Sequence, residues 1–227
     1  LKTLDAQGLK LFQIYLRVNI GKKARPYDTA LKDVLPLLKG RETTLALLIQ
    51  GGRPSDEAGD ARAVKIIREI ADLAAASGVK VVLYPHAGHW LERVEDAVRV
   101  VRKVDRANAG VMFNLCHWLK VDENKNLLSA LKLAMPHLMA VSIHGADTAA
   151  EIRSGKGKWI QPLGSGTFDV YKLLRALDDM GYRGPVGLQC YGLPGDAREH
   201  LTQSIAAWRK LRERLSAAES RQRSPEG

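Results

Sequence analysis

The amino-acid sequence predicts an α/β fold, and more specifically a TIM-type (β/α)8 barrel whose first βα unit is missing. Strand-like and helix-like segments alternate along all 227 residues, which is typical of parallel strands joined by right-handed crossovers. The strand-like segments are short, apolar and often β-branched, as expected for strands that helices cover. No GxGxxG motif follows the first of them, which disfavours an open dinucleotide-binding sheet.

The pattern predicts strands at seven places, one fewer than a complete barrel contains. Residues 1–7 (LKTLDAQ) have the character of a helix end whose preceding strand is missing. An incomplete barrel leaves two strand edges open, which favours pairing between copies of the chain. In chain order, the predicted strands are Leu9–Tyr15, Leu45–Gln50, Lys80–Tyr84, Gly110–Asn114, Met139–Ile143, Trp159–Pro162 and Val186–Cys190.

The segments between the strands predict amphipathic helices, because apolar residues recur in them every three or four positions. Thr167 or Asp169 is expected to cap one of these helices. Beyond Leu215 the sequence is polar, so we expect a single domain over residues 1–215 and a frayed tail over 216–227. The apolar stripes consist of Val64, Ile67, Ile70, Ala71 and Ala74; Leu91, Val94, Val98 and Val101; Val170, Leu173, Leu174 and Leu177; and Leu201, Ile205, Trp208 and Leu215.

The composition is that of a soluble globular domain, with 45% apolar and 26% charged residues. No apolar run is long enough to cross a membrane, so a membrane is not an expected partner. The net charge of +10 is spread along the chain and forms no basic run with interleaved aromatic residues, so nucleic acid is not expected either. The chain starts with Leu1 and has no signal-peptide pattern, which leaves cytoplasmic and exported locations both open. Cys116 and Cys190 are expected to be small buried thiols.

Polar side chains stand at the ends of most predicted strands. In a barrel these carboxyl ends form the catalytic face, and residues two apart on a strand share a side. A ring of amides, hydroxyls and phenols supplies the partners that a ligand with many hydroxyl groups requires. We therefore expect a binding site for a sugar-like small molecule. The candidate binding residues are Tyr15, Gln50, Tyr84, Asn114, Lys120, Ser142, Gln189 and Tyr191.

Three of the six histidines, His86, His117 and His144, lie at the ends of three different strands. Imidazole changes its charge near neutral pH, so these residues are candidate catalytic bases for taking a proton next to a carbonyl group. Asn114 and Gln189 would then donate hydrogen bonds to the developing enolate oxygen. The alternative for each histidine is a hydrogen-bonded structural role.

Some neighbouring features have two interpretations. Lys120 or Arg153 would add positive charge to the site if its loop folds inward, and Tyr15 and Tyr191 would otherwise pack at the rim. The LGSG segment at 163–166 precedes a helix, where backbone amides can hold an anion. A plain glycine turn explains the same residues.

Four blocks of the chain read VKVVLYPHAGHWLERVEDAVRVV, GVMFNLCHWLKV, HLMAVSIHGAD and IQPLGSGTFDVYKLLRALDDMGYRGPVGLQCYG. They resemble successive blocks of the sugar phosphate isomerase/epimerase group, a family of xylose-isomerase-like TIM barrels. The similarity runs over roughly residues 1–210, and the PLGxGxxD block with the GYxGPVGLQ strand is its most specific part. The resemblance implies a barrel that acts on sugars or related polyols.

The resemblance also implies a divalent metal, which many members hold through two Glu, one Asp and one His at the strand ends. The residues at these positions here carry no negative charge, whereas Mg²⁺ and Mn²⁺ depend on anionic oxygen ligands. No tight site for these ions is therefore expected. Three imidazoles can hold Zn²⁺, so a softer site on His86, His117 and His144 stays an alternative. The positions that match the metal ligands are Tyr84, Asn114, Ser142 (His144 if the register shifts by two) and Gln189.

These implications predict a carbohydrate-active barrel. It would be a sugar or keto-sugar isomerase or epimerase, or a related lyase, that abstracts a proton next to a carbonyl group. The alternative is a non-catalytic sugar-binding relative that has lost the metal site. A zinc-dependent abasic-site endonuclease shares the fold but requires several Glu and Asp ligands that these strand ends lack. The expected partners are a small-molecule sugar or keto-sugar and, through the open edge, further copies of the chain.

Overall fold

A computed structural model describes the backbone of residues 1–223 and the side chains up to residue 218. Within this range six parallel strands form one sheet, in which each strand pairs with the next one along the chain. Consecutive pairing of parallel strands is the order found around a TIM barrel. The strands are β1 (Gln13–Asn19), β2 (Thr44–Gln50), β3 (Lys80–Leu83), β4 (Ala109–Asn114), β5 (Leu138–Ile143) and β6 (Val186–Leu188).

Helices connect the strands and cover one face of the sheet. Short 3-10 turns at 35–38, 57–59, 124–126 and 135–137 complete the connections. Among the described residues no helix has the length and apolar character needed to cross a lipid bilayer. The helices are α1 (Lys2–Ala6), α2 (Leu31–Val34), α3 (Asp60–Ala75), α4 (Val94–Val104), α5 (Leu115–Val121), α6 (Leu127–Ala134), α7 (Ala149–Arg153), α8 (Val170–Asp179) and α9 (Ala197–Arg223).

Apolar residues fill both faces of the sheet. The large core lies between the strands and the helices, and it contains the predicted stripes of α3, α4 and α8. A smaller cluster on the opposite face consists of Ala46, Val82, Tyr84, Met112 and Ala140. Because neighbouring residues of a strand point to opposite faces, this alternation places Tyr84 at the end of the inner face, next to the site described below.

The segment Trp159–Pro162 is not a seventh parallel strand, contrary to the prediction. It forms one isolated antiparallel bridge, between Gln161 and Gly145, while β5 pairs directly with β6. A Cβ atom added to Gly145 would lie only 2.1 Å from the carbonyl oxygen of Pro162. The two segments therefore cross too closely for any residue but glycine, and the bridge replaces a regular strand.

The first strand is also displaced from its predicted position. It spans Gln13–Asn19 and pairs over its full length with β2, whereas the apolar run Leu9–Tyr15 was predicted. Both polar residues at its end have suitable surroundings: Arg17 is exposed at the cavity, and Asn19 Oδ1 accepts a hydrogen bond from the backbone N–H of Gly21. The last strand likewise ends at Leu188 rather than Cys190.

The last helix differs from expectation in two ways. It continues through the predicted frayed tail as far as Arg223, and residues 224–227 lie outside the described part of the chain. Two members of its predicted apolar stripe, Leu201 and Ile205, are 54% and 47% exposed. They line a groove of about 490 Å³ against β6 rather than a closed core.

Candidate active site

A cavity of about 610 Å³ opens at the carboxyl ends of the strands. Its wall contains residues from β1 and β2, from the ends of β3, β5 and β6, and from α5. No Asp or Glu is among these lining residues in the described part of the chain. The lining residues are Phe12, Gln13, Tyr15, Arg17, Leu48, Tyr84, His86, Met112, Cys116, His117, Lys120, Ser142, Trp159, Ile160, Gly187, Leu188, Gln189, Cys190 and Tyr191.

Most of the site residues predicted from the sequence are brought together in this cavity. Asn114 lies directly behind the wall, with hydrogen bonds to three of them. The rim residues Tyr15 and Tyr191 are 57% and 77% exposed, so their rings flank the opening rather than fill the core. The predicted residues that line the wall are Tyr15, Tyr84, His86, His117, Lys120, Ser142, Gln189 and Tyr191.

Besides Asn114, two predicted residues, Gln50 and His144, do not line the cavity. His144 is fully buried, and its Nδ1 contacts the carbonyl of Gly145 at 2.8 Å. The alternation along β5 predicts His144 beside Ser142 on the cavity side, but the His144 side chain is buried behind the wall. Gln50 is the last residue of β2 and pairs with Asn19 on the edge strand, to one side of the cavity.

Asn114 organises the floor of the site. It is the last residue of β4, and its Oδ1 accepts a hydrogen bond from the backbone N–H of His117, which caps α5. This contact identifies the other amide atom as Nδ2. That nitrogen lies 2.8 Å from Tyr84 Oη, 2.7 Å from Ser142 Oγ and 2.8 Å from Gln189 Oε1. One amide group therefore joins four strands at the cavity floor.

These four residues occupy the positions that the resemblance assigns to a divalent metal, and their chemistry does not fit one. Burial raises the pKa of the Tyr84 phenol far above its ordinary value, so the group stays neutral. The other three are amides and a hydroxyl, and Asn114 Nδ2 already takes up contacts that three oxygens could make to a cation. Without an anionic ligand, these groups do not offset the dehydration of Mg²⁺ or Mn²⁺.

Three imidazoles lie against one another beside this floor. The rings of His86 and His89 are stacked with centroids 3.8 Å apart, and the ring of His117 lies 3.7 Å from that of His86 and is tilted to it by 33°. The stacked pair presents ring faces to one another rather than converging nitrogens, and His144 is not among these three rings. Among the described side chains no group of three or more His, Cys, Asp or Glu could hold a metal ion. The geometry therefore does not favour the alternative zinc site.

The electrostatic surroundings keep these imidazoles neutral. Burial lowers the pKa of His117 to about 3, and the neighbouring His86 ring and the charge of Lys120 act in the same direction. Burial and the charge of Lys120 also lower the pKa of His86, partly offset by the carbonyl of Ala87. At neutral pH each ring thus retains a nitrogen lone pair, as a proton acceptor must.

Lys120 is the one predicted cationic side chain that reaches the cavity, and its ammonium group lies over the ring of Trp159. Arg153, the alternative to it, is held by the backbone carbonyl of Asp122 and does not line the wall. The LGSG segment also lies outside the cavity. Gly164 and Gly166 there have positive φ angles of 92° and 85°, so the segment is a glycine turn.

Several residues of the cavity wall are not among the site residues predicted from the sequence. Gln13 and Arg17 share one face of β1 with Tyr15, so the period of two could have added them. His89 stacks on His86 behind the wall without lining the cavity itself. Cys116 is buried in the wall, whereas Cys190 is exposed rather than buried, and both are free thiols. The approach of Trp159 to the cavity had no local signal, since it depends on the Gly145–Gln161 bridge.

A parallel α/β sheet with a polar cavity at the carboxyl ends of its strands defines a small-molecule site of the TIM-barrel class. The chain belongs to the family of xylose isomerase-like TIM barrels, whose family model matches residues 3–213. This confirms the family resemblance and the α/β barrel fold class. No curated protein matches the chain.

Solved structures with the same fold include several sugar-converting enzymes. An L-ribulose 3-epimerase has a TM-score of 0.76 at 15% identity, covering 100% of this chain and 82% of its own. A 3-keto-D-glucoside 4-epimerase from E. coli has a TM-score of 0.72 at 17% identity, covering 92% and 82%. A family 2 AP endonuclease from Brucella melitensis has a TM-score of 0.66 at 19% identity, covering 88% and 79%. At such identities the similarity establishes the fold alone.

Proposed function

We propose that this protein binds a sugar or keto-sugar in the cavity and removes a proton next to its carbonyl group without a divalent metal. The reaction would be an isomerisation, an epimerisation or a related elimination. The observation that carries the proposal is a pair of buried polar atoms without partners, Gln13 Oε1 and His117 Nδ1, on residues of the cavity wall. Each costs free energy while unpaired, and hydroxyl groups of a ligand would supply the partners. Sugar epimerases among the similar structures support this choice of ligand.

His86 is the proposed base. Its Nδ1 lies 2.9 Å from the carbonyl oxygen of Ala87, which can only accept a hydrogen bond, so Nδ1 carries the hydrogen. The lone pair is therefore on Nε2, and the ring lines the cavity. His117 packs against this ring, but its pKa of about 3 makes it the weaker base. We assign His117 to hydrogen bonding of the ligand.

Proton removal next to a carbonyl builds negative charge on the carbonyl oxygen, which requires hydrogen-bond donors. Asn114 Nδ2 has no lone pair to accept a hydrogen, so the hydroxyl hydrogens of Tyr84 and Ser142 cannot be donated to it. Both residues line the cavity. The Ser142 hydrogen would reach a ligand oxygen there, and the Tyr84 hydroxyl, which also contacts Gln189, would donate to the ligand in place of that contact. Asn114 is thus a positioning residue, and Lys120 adds positive charge at the same wall.

Hydrogen exchange into substrate tests the proposal directly. The protein, stripped with EDTA and checked by metal analysis, would be incubated in D2O with ketoses and 3-keto-sugars, and deuterium next to the carbonyl would be measured by NMR. We expect exchange to persist after chelation. His86→Asn should lower its rate by about 10² or more, the usual contribution of a general base, while the melting temperature changes little.

His137→Asn serves as the matched control, because His137 lies on the 3-10 turn before β5 and outside the cavity. This variant should exchange hydrogen at the wild-type rate. Sugar-induced thermal stabilisation without exchange would identify a non-catalytic sugar-binding protein instead. Loss of exchange on chelation, with recovery on adding a divalent ion, would overturn the metal-free mechanism.

A further inference from the structure

The cavity has an unbalanced charge distribution. Two basic side chains, Arg17 and Lys120, lie in its wall together with His86 and His117, and none of the described lining residues is acidic. The four positions of the cavity floor contribute amides and hydroxyls only. A neutral sugar requires hydrogen-bond donors and acceptors but no excess of one charge.

The two cations have no acidic partner within the described part of the chain. Its ion pairs engage other lysines and arginines, such as Arg99 with Asp60 and Asp96, and Arg106 with Asp72. Lys120 is partly buried, and its ammonium group is held against the Trp159 ring. A desolvated cation without a counter-charge costs free energy, which an incoming anion would offset.

We infer that the ligand of this cavity carries a negatively charged oxygen group, and that Lys120 and Arg17 bind it. The inference rests on the proposed sugar site and names its substrate class: a sugar derivative with a carboxylate or a phosphate group. Lys120 contributes the charge from the inner wall, and Arg17 contributes it from the exposed end of the β1 face, beyond Gln13 and Tyr15.

The positions of the histidines agree with this assignment. The charge of Lys120 lowers the pKa of both His86 and His117, and the charge of Arg17 lowers that of His89. A bound anion would neutralise part of this field and make the imidazoles more basic. The base would thus be strengthened only when the charged substrate is in place.

Sugars of similar shape but different charge test whether the cavity prefers an anionic ligand. Binding of D-glucose, D-glucuronate and D-glucose 6-phosphate, with inorganic phosphate as the bare anion, would be measured by calorimetry and thermal shift at low and moderate salt. We expect at least one anionic sugar to bind about tenfold or more tightly than glucose, as one charge-assisted contact provides. The advantage should shrink as salt is added.

Single substitutions test which side chains bind the anionic group of the ligand. Lys120→Gln and Arg17→Gln keep much of the side-chain length and should each lower affinity for the anionic sugar by roughly fivefold or more, a larger factor than for glucose. Lys32→Gln, an exposed position on α2 outside the cavity, should change neither. Preference for glucuronate or for the phosphate ester then identifies the anionic group.

The outcomes distinguish this inference from the proposed function. Equal binding of charged and neutral sugars, insensitive to Lys120→Gln and Arg17→Gln, would overturn the anionic substrate class even if deuterium exchange with a neutral keto-sugar is observed. Charge-dependent binding with no exchange in any substrate would support the anion site and overturn the proposed catalysis.

Discussion

At the scale of single residues, burial decides how each histidine can be used. His86 is partly exposed in the cavity wall and holds one hydrogen on Nδ1, so its Nε2 is available to a ligand. His144 makes the same kind of contact to the next carbonyl, but it is fully buried and its Nε2 has no partner. Two residues with the same local chemistry therefore differ in role, because only one of them reaches the cavity.

The burial of His144 predicts an acid-sensitive stability. Burial lowers the pKa of His144 to about 4, whereas an unfolded histidine titrates near 6.5. As the pH falls from about 6.5 to about 4, His144 binds a proton in the unfolded state but not in the folded state. The free energy of unfolding therefore decreases. The loss attributable to this one group is at most ~3 kcal/mol, and stability is fully present above about pH 7.

Urea unfolding at a series of pH values checks this prediction. His144→Asn cannot titrate, so its free energy of unfolding should fall less steeply between pH 6.5 and 4 than that of the wild type. His117 has a similarly lowered pKa and accounts for part of the slope that remains. Identical slopes for the wild type and His144→Asn would refute the assignment.

At the scale of elements, the ends of the strands decide which side chains reach the site. The period-two rule places Gln13, Tyr15 and Arg17 of β1 on the cavity side because β1 remains regular up to Asn19. It does not place His144, which follows β5 directly and precedes Gly145, the residue that forms the bridge to Gln161. This bridge also draws Trp159 to the wall, where it meets Lys120.

Gly145→Ala should therefore damage both the fold and the site. A Cβ at this position would lie 2.1 Å from Pro162 O and 2.6 Å from Ser165 O, both backbone atoms that cannot swing aside. We expect the free energy of unfolding to drop by roughly 2 kcal/mol or more, as for other overpacked sites. Thermal and urea unfolding measure this, and Trp fluorescence follows the displacement of Trp159. A fully stable variant would show that the bridge is dispensable.

At the scale of the whole molecule, the two ends of the described sheet approach one another. β1 and β6 are not paired by a ladder of hydrogen bonds, yet the ring of Phe12 packs over Gly187, so that a Cβ on Gly187 would lie 2.5 Å from its Cζ. Both residues line the cavity. An apolar contact thus connects the first and last strands beside the site.

A double-mutant cycle tests this contact. Gly187→Ala should destabilise the protein by ~1–2 kcal/mol because the added methyl group displaces the Phe12 ring. In a Phe12→Ala background the same change should cost markedly less, since the clashing ring is absent. Urea unfolding of the four proteins gives the coupling free energy. Strictly additive effects would mean that the two ends of the sheet do not meet in solution.

The sequence by itself determined the class of fold and most of the site. Alternating apolar strands and amphipathic helices require a parallel sheet under helices, and polar residues at strand ends must then share one face. The family resemblance implied that Tyr84, Asn114, Ser142 and Gln189 replace the usual metal carboxylates, and this stays a prediction. The fold class could be predicted because it depends on local periodicity.

Only the tertiary structure decided how those residues act together. It buried His144 behind the cavity wall, and it made Asn114 Nδ2 the common partner of three residues from separate strands. It also placed the His86 ring between those of His89 and His117. Such contacts join positions far apart in the chain, and their geometry depends on where each strand ends and how its neighbour is placed. No local pattern of residues encodes those distances.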